Sequence, residues 1–347
     1  ERAEAMIFIR ADGGREVGSG HIMRCLSIAG ALQRRGEEVL FLLADDSAAG
    51  LLAERGQKYR ILYSDYQKME AELSALRPLL EAYAPKLFLA DSYFVTAEYL
   101  KQVGEYTQTV YIDDMCAFPC PADVVINYNI YGEALPYKER ALPQNRVFLL
   151  GCSYAPLREE FGSTAYEVRE KAEHVLITTG GGDKYNLAEQ ILRSVLSEEI
   201  CRRLQYHVVS GSFNRHLSCL QAVAAKHPNV KVYENIRNMA ALMAQCDIAV
   251  TAGGSTMYEL CAVGVPIICF SFADNQERLV ETFAEKGIVC YGGNYLREKE
   301  ELPEKVAAHV RLLAESKTLR EDYSFRGKNL VDKRGAERIA ERLLRIS

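Results

Sequence analysis

Short apolar runs of four or five residues recur along most of this chain, each followed by a turn and then by a stretch with helical spacing. That alternation constrains the fold more than any other feature. In the first half the runs are Met6 to Arg10, Val39 to Leu43, Leu87 to Ala90 and Thr109 to Ile112. Helical patterns fill the intervals: His21 to a stop at Gly36, Met69 to Tyr83, and from Thr96 onward. In the first, Ile22, Cys25, Leu26, Ala29 and Leu32 fall three and four apart and make one buried face. Strand runs without a polar alternate face are buried on both sides, as in a parallel sheet covered by helices. The order predicts an α/β chain with a doubly wound parallel sheet, whose ligands collect beyond the carboxyl ends of its strands.

After a strand at Arg146 to Leu150 the rhythm lapses over the polar stretch Gly151 to Lys171, which reads as a passage between domains. A second alternation follows. It runs through strand His174 to Thr178, a helix from Asn186, strand Tyr206 to Val209, a helix to Lys226, and strand Val230 to Tyr233. Two domains are expected, 1–160 and 173–347, and 347 residues suffice for two cores. Past Val289 the chain reads as mostly helical, with Leu330, Ile339 and Leu343 on the apolar side of Leu312 to Ile346. The polar residues Glu1 to Ala5 precede Met6 and read equally as native or as an added tail.

The balance of 42 basic against 47 acidic residues, net −5, gives no broad positive field for nucleic acid or anionic lipid. An anionic ligand must be held locally. No apolar run approaches the ~20 residues that cross a bilayer, and no signal pattern opens the chain, so a cytoplasmic protein is expected. The ten cysteines lie mostly in apolar runs, as reduced cysteines do. Cys116 and Cys120 are the one close pair, with no second pair or histidines at zinc spacing, and no metal is expected.

Val250 to Gln276 joins a strand, a glycine turn, a helix, a second strand and a polar loop that opens a further helix. Gly253 and Gly254 sit where the first strand ends and the helix begins. A missing Cβ there lets a ligand approach the backbone, and the N–H groups of Ser255, Thr256 and Met257 favour an anion. Glu259, one turn further in, is placed to accept hydrogen bonds from a ribose. The same residues fit a tight turn with Ser255 as a plain N-cap. Thr179 to Asp183, T-G-G-G-D, is a second such turn and carries Gly180 and Gly181. Asp274-Asn275-Gln276 opens the next helix with Asp274 as N-cap, and helix-start chemistry alone also accounts for it.

Gly18-Ser19-Gly20-His21 sets a histidine in the first turn of a helix behind a glycine loop. The positive end of the helix dipole disfavours the imidazolium there and keeps the ring available as a base. A surface histidine acting as a loose cap is the alternative. His174, His207, His216, His227 and His309 lack such a setting and read as structural. Arg10-x-Asp12 can orient His21, bind sugar hydroxyls or form a strand-end ion pair. Asp91-Ser92-Tyr93 follows a strand and can face a sugar, though Tyr93 also fits interfacial packing. Asp113-Asp114 reads as a solvated turn. Gly13-Gly14 and Gly18-x-Gly20 do not make the dinucleotide spacing G-x-G-x-x-G.

The run Asn235-Ile236-Arg237-Asn238-Met239 through the A-G-G-S-T turn resembles the donor site of MurG-like glycosyltransferases. That resemblance implies a GT-B fold, two Rossmann-like doubly wound domains facing a cleft, with the final helix returning to brace the N-terminal domain. It also implies a UDP-sugar ligand: the Ile236 backbone facing uracil, Gly253, Gly254, Ser255 and Thr256 the pyrophosphate, and Glu259 the ribose. Taken in order, R-x-D at Arg10 to Asp12, G-S-G-H-I-M-R-C-L from Gly18 with Gly20, His21 and Arg24, D-S-Y from Asp91, I-D-D from Ile112, Y-A-P-L-R-E-E-F from Tyr154, T-G-G-G-D, A-D-N-Q and V-D-K-R-G-A-E-R-I are similar to the PseG family. These are UDP-2,4-diacetamido-2,4,6-trideoxy-β-L-altropyranose hydrolases of pseudaminic acid biosynthesis. The resemblance implies His21 as catalytic residue and Tyr93 and Asn275 at the sugar. Asp12, Gly18, Gly20, Arg24, Asp91, Gly180, Gly181 and Gln276 join the expected substrate-binding set, with no metal and no cofactor. Glu159 departs from the proline common at its place in the family. The expectation is an inverting UDP-sugar hydrolase acting as a monomer, without nucleic-acid or membrane partners. A MurG-like glycosyltransferase and a non-catalytic nucleotide-sugar-binding module are the alternatives.

Overall fold

The computed structural model describes residues 6–14, 17–145, 147–211, 214–234, 236 and 238–346. Glu1 to Ala5, the expected strand start Arg146, and Asn235 and Arg237 of the MurG-like run lie outside the described residues. The chain divides into two compact units, Glu1–Arg158 with Arg334–Ser347, and Glu159–Lys333.

In the first unit the elements are β1 (Ile7–Ala11), α1 (Gly20–Gln33), β2 (Val39–Leu43), α2 (Ala49–Glu54), β3 (Tyr59–Ile61), α3 (Met69–Tyr83), β4 (Leu87–Asp91), α4 (Ala97–Gly104), β5 (Gln108–Ile112), β6 (Val124–Asn127) and β7 (Val147–Leu150). They form one parallel sheet in the order β3-β2-β1-β4-β5-β6-β7. Phe8, Leu42 and Phe88 pack on Leu73, Leu76 and Leu80 of α3 and Tyr99 and Val103 of α4. Every residue of β1 and β4 is buried, as their unbroken apolar runs require. The strand order reverses between β1 and β4, where Ala11 pairs with Asp91. The residues following both strands therefore emerge together at the switch point.

The second unit contains β8 (His174–Thr178), α5 (Leu187–Ser197), β9 (Gln205–Ser210), α6 (Leu217–Ala224), β10 (Val230–Glu234), α7 (Met239–Gln245), β11 (Ile248–Ala252), α8 (Thr256–Val263), β12 (Ile267–Ser271), α9 (Asp274–Glu285), β13 (Cys290–Asn294), α10 (Leu302–Glu315) and α11 (Lys317–Leu330). Its parallel sheet has the order β10-β9-β8-β11-β12-β13. Here the reversal lies between β8 and β11, with Thr178 opposite Thr251. Both glycine turns thus leave the sheet side by side.

The last helix, α12 (Gly335–Leu344), belongs to the first unit and packs on α1. Its buried Ile339 and Leu343 hold it there. Pairs such as Arg34 with Glu337 at 2.6 Å are partly exposed and add little.

Three strands escaped the sequence reading. β3 is three residues at a sheet edge, β6 is a four-residue run, and β13 carries Gly292 and Gly293 in a region read as helical. A Cβ on Gly292 would stand 2.8 Å from Val306 and 3.3 Å from the Cys269 carbonyl, so close packing of α10 on the sheet requires that glycine. The helical end is three helices rather than one long pattern, because Ser316 caps α11 and the chain turns again before α12.

Candidate active site and nucleotide-binding turn

At the β1/β4 switch point, Gly20 opens α1 and places His21 in its first turn. His21 is 4% exposed. Its Nδ1 lies 3.3 Å from the Asp91 backbone carbonyl and 3.3 Å from Asp91 Oδ1. Both neighbours are acceptors, so Nδ1 carries the proton and donates. Nε2 is then the basic nitrogen, and it is buried with no hydrogen-bond partner. An imidazole held by a carboxylate on one nitrogen, with a lone pair open on the other, is the geometry of a general base. The Tyr93 ring stands edge-on to His21 at 4.6 Å between centroids and is itself 37% exposed.

Asp91 is fully buried and contacts no solvent. Arg24 grips it with two bonds, Nε to Oδ2 at 2.6 Å and Nη2 to Oδ1 at 2.5 Å. Cys25 Sγ donates to Oδ2 at 3.4 Å. Burial pushes the Asp91 carboxyl up, but Arg24 and then His21 outweigh it and hold it below the usual carboxylate range. Arg24 also donates to Asp114, at 3.0 Å from both Nη1 and Nη2 to Oδ2, and to the Tyr128 hydroxyl at 3.1 Å. Burial opposes the Arg24 charge, and Asp114 and Asp91 restore it.

Beside this cluster Arg10, fully buried, bonds Glu72 at 2.9 Å from both Nε and Nη2, and Asp12 at 2.5 Å. Tyr99 and Ser64 donate to the same Glu72 carboxylate at 2.6 and 3.1 Å. The Arg10–Asp12 contact is thus the strand-end ion pair. Asp12 keeps one buried oxygen, Oδ2, without a partner. Glu72 gave no signal in the sequence, because among the charges of α3 nothing distinguishes the one that faces inward.

Asp113-Asp114 is not a solvated turn. Asp113 accepts the Met115 and Cys116 N–H groups at 2.9 and 3.0 Å, and Asp114 accepts from Arg24 and from Asn129 at 2.8 Å. Burial raises the Asp113 carboxyl above its ordinary range. Gly14 and Gly18 exchange two backbone bonds, at 3.0 and 2.7 Å, which closes the loop before α1. Gly18 has φ +80°, and neither it nor Gly20 has a neighbour within 4 Å of a would-be Cβ, so both leave open space before His21.

In the second unit Gly253 and Gly254 differ. A Cβ on Gly253 would stand 2.6 Å from Val280 and 3.0 Å from Gln276, whereas one on Gly254 meets nothing within 4 Å. Gly253 packs and Gly254 faces open space. Ser255 has helical dihedrals and its side chain does not cap α8. Met257 N–H already donates to the Gly254 carbonyl at 3.1 Å, which removes it from the three donors expected there. The Ser255 and Thr256 N–H groups remain for an anion. Glu259 lies in the first turn, partly buried.

Gly180 has φ +85°, and Gly211 passes so close that its Cβ would lie 2.5 Å from the Gly181 carbonyl. Asp183 accepts the Leu187 and Ala188 N–H groups at 2.7 and 2.9 Å and so caps α5. Asp274 is inside α9, whose N-cap is Ala273, so the cap expected of Asp274 is not formed. Asn275 is exposed in that first turn. Gln276 turns its amide oxygen back to the Phe272 N–H at 3.0 Å, leaving its NH₂ as the end that can meet a ligand. Ile236 is partly buried between α7 and β10 in sequence.

Two parallel doubly wound sheets, each with glycine or polar loops beyond its switch point, define a protein of the GT-B class. The backbone superposes on the crystal structure of Acinetobacter baumannii MurG with TM-score 0.66 over 98% of this chain and 99% of that one, at 14% identity. Residues 174–341 match the glycosyltransferase family 28 C-terminal domain. More particularly, the chain is similar to the UDP-2,4-diacetamido-2,4,6-trideoxy-beta-L-altropyranose hydrolase of Campylobacter jejuni, 27% identical over 283 residues, 81% of this chain and 97% of that protein. The PseG resemblance carried by the motifs thus extends over most of both chains. An uncharacterized Methanocaldococcus jannaschii protein, MJ1062, is 27% identical over 296 residues, and the match spans 81% of this chain but only 58% of that protein. Among the described residues no helix is long and apolar enough to cross a membrane.

Proposed function

We propose that this chain hydrolyses a UDP-2,4-diacetamido-2,4,6-trideoxyhexose between the anomeric carbon and the phosphate oxygen, in pseudaminic acid biosynthesis. The observation that carries the reading is His21, with Nδ1–H on Asp91 and a buried, unpartnered Nε2. In this reading the second unit supplies the nucleotide site and the first supplies the base. His21 Nε2 takes a proton from water as the water oxygen bonds to the anomeric carbon. The bond to phosphate breaks, and its electron pair leaves with UDP. The Ser255 and Thr256 N–H groups stabilise the charge that grows on the pyrophosphate. One displacement inverts the sugar, and no covalent nucleophile is required. The similarity to the Campylobacter hydrolase over most of both lengths supports this choice of substrate.

The family 28 domain match and the MurG-like fold favour a second reading, in which His21 deprotonates an acceptor hydroxyl and the sugar is transferred. Purified protein incubated with a panel of UDP-2,4-diacetamido sugars, without acceptor, separates the two. The proposal expects stoichiometric UDP and free sugar, lost in His21→Phe. UDP release that depends on an added acceptor favours transfer, and UDP binding without release leaves only a nucleotide-sugar-binding module.

A further inference from the structure

Arg24 lies close to the base, but its guanidinium is occupied. It places two bonds on Asp91 and three on Asp114, plus one on Tyr128, and its side chain is only 7% exposed. An arginine so committed has little left to offer a phosphate or a sugar. Asp91 is equally committed, to Arg24, Cys25 and His21.

We propose that Arg24 is a positioning residue that acts on His21 through Asp91, and that Asp114 tunes it by drawing on the same guanidinium. Asp91 must do two things: hold the Nδ1–H tautomer, and leave the Nε2 lone pair free to take a proton. An unshielded buried carboxylate at 3.3 Å would favour the imidazolium strongly. Arg24 cancels most of that field, since its Nη2 is 2.5 Å from the same Oδ1 that faces His21. Asp114, at 3.0 Å from Nη2 on the other side, offsets part of the arginine's charge. The groups in this chain of contacts are Asp91 at the end of β4 and the Tyr93 ring against His21, Arg24 and Cys25 of α1 on Asp91, and Asp114 behind Arg24.

This rests on His21 being the base, but its test does not. His21 is observed by long-range ¹H–¹⁵N spectra of histidine-labelled protein without substrate, its signals assigned by loss in His21→Phe. The proposal expects the Nδ1–H tautomer in the unaltered protein. Arg24→Gln should raise the His21 pKa, as removal of a neighbouring like charge does. Asp114→Asn leaves the Arg24–Asp91 pair intact and should lower it. Opposite shifts in the two variants would not arise from a merely structural role. Should Arg24→Gln fail to fold, Arg24→Lys retains the charge without the two-pronged grip, and a changed Nδ1–H population with a small pKa change is expected. Shifts of the same sign in Arg24→Gln and Asp114→Asn, no shift in either, or an Nε2–H tautomer in the unaltered protein would overturn the proposal. A hydrolase with correct shifts supports both readings, while correct shifts without hydrolysis retain this inference and remove only the activity.

Discussion

Gly253 and Gly254 are adjacent and yet predict opposite outcomes on mutation to alanine. The Gly253→Ala methyl would stand 2.6 Å from Val280 Cγ2 and 3.0 Å from Gln276 Cβ, both held by α9, so the helix must move. Overpacking of that kind costs about 1–3 kcal/mol. For a unit of this size that is a fall in Tm of roughly 2–12 °C. The Gly254→Ala methyl has nothing within 4 Å, so Tm should hold or rise slightly. Yet Gly254 is where the phosphate is proposed to approach, beside the Ser255 and Thr256 N–H groups. Loss of one charge-assisted hydrogen bond, about 1.5–3 kcal/mol, weakens UDP roughly 10- to 150-fold. Differential scanning fluorimetry and calorimetric UDP titration of both variants read the two effects separately. Gly254→Ala that melts normally and binds UDP as tightly as the unaltered protein would refute the placement of the pyrophosphate.

Glu72→Ala should cost about 3–5 kcal/mol, because it leaves Arg10 buried with one partner lost and strips Tyr99 and Ser64 of their acceptor; an unchanged melting curve would contradict it. Stability should fall as pH drops from 6.5 toward 4. Burial, then His174 and Lys231, depress the His207 pKa from its ordinary 6.5 to about 4, so in that window the unfolded chain binds the extra proton. A Tm series over this range should show a shallower slope in His207→Gln. Finally, Glu259→Gln should weaken UDP without changing Tm, and the unaltered protein should prefer UDP over ADP and GDP; equal affinities by calorimetry would count against ribose and uracil recognition at this site.

Local patterns were legible and long-range polar pairings were not. The unbroken apolar runs of β1, β4, β8 and β11 announce strands buried on both faces, and the glycines and histidine at the following helix starts stand out because their chemistry is local. Thr96 was legible as a helix start, and its hydroxyl accepts the Tyr99 N–H at 3.1 Å. By contrast, Arg24 meets Asp114 across 90 positions and Arg10 meets Glu72 across 62, distances over which no spacing rule operates. Asp113-Asp114 therefore looked like a solvated turn, and nothing local joined Asp91 to Arg24, 67 positions away. β13 hid for another reason: its two glycines weaken strand character locally, while the packing that needs Gly292 comes from Val306 on α10.

The central claim is that water is activated by His21 and attacks carbon. Turnover of a UDP-2,4-diacetamido sugar in ¹⁸O-enriched water, with both products analysed by mass spectrometry, tests it directly. The label should appear on the sugar and none on UDP. His21→Phe should lower kcat by about 10²–10⁴-fold with UDP affinity unchanged. Label recovered in UDP would mean attack at phosphorus, and it would contradict the mechanism even if UDP were released at full rate.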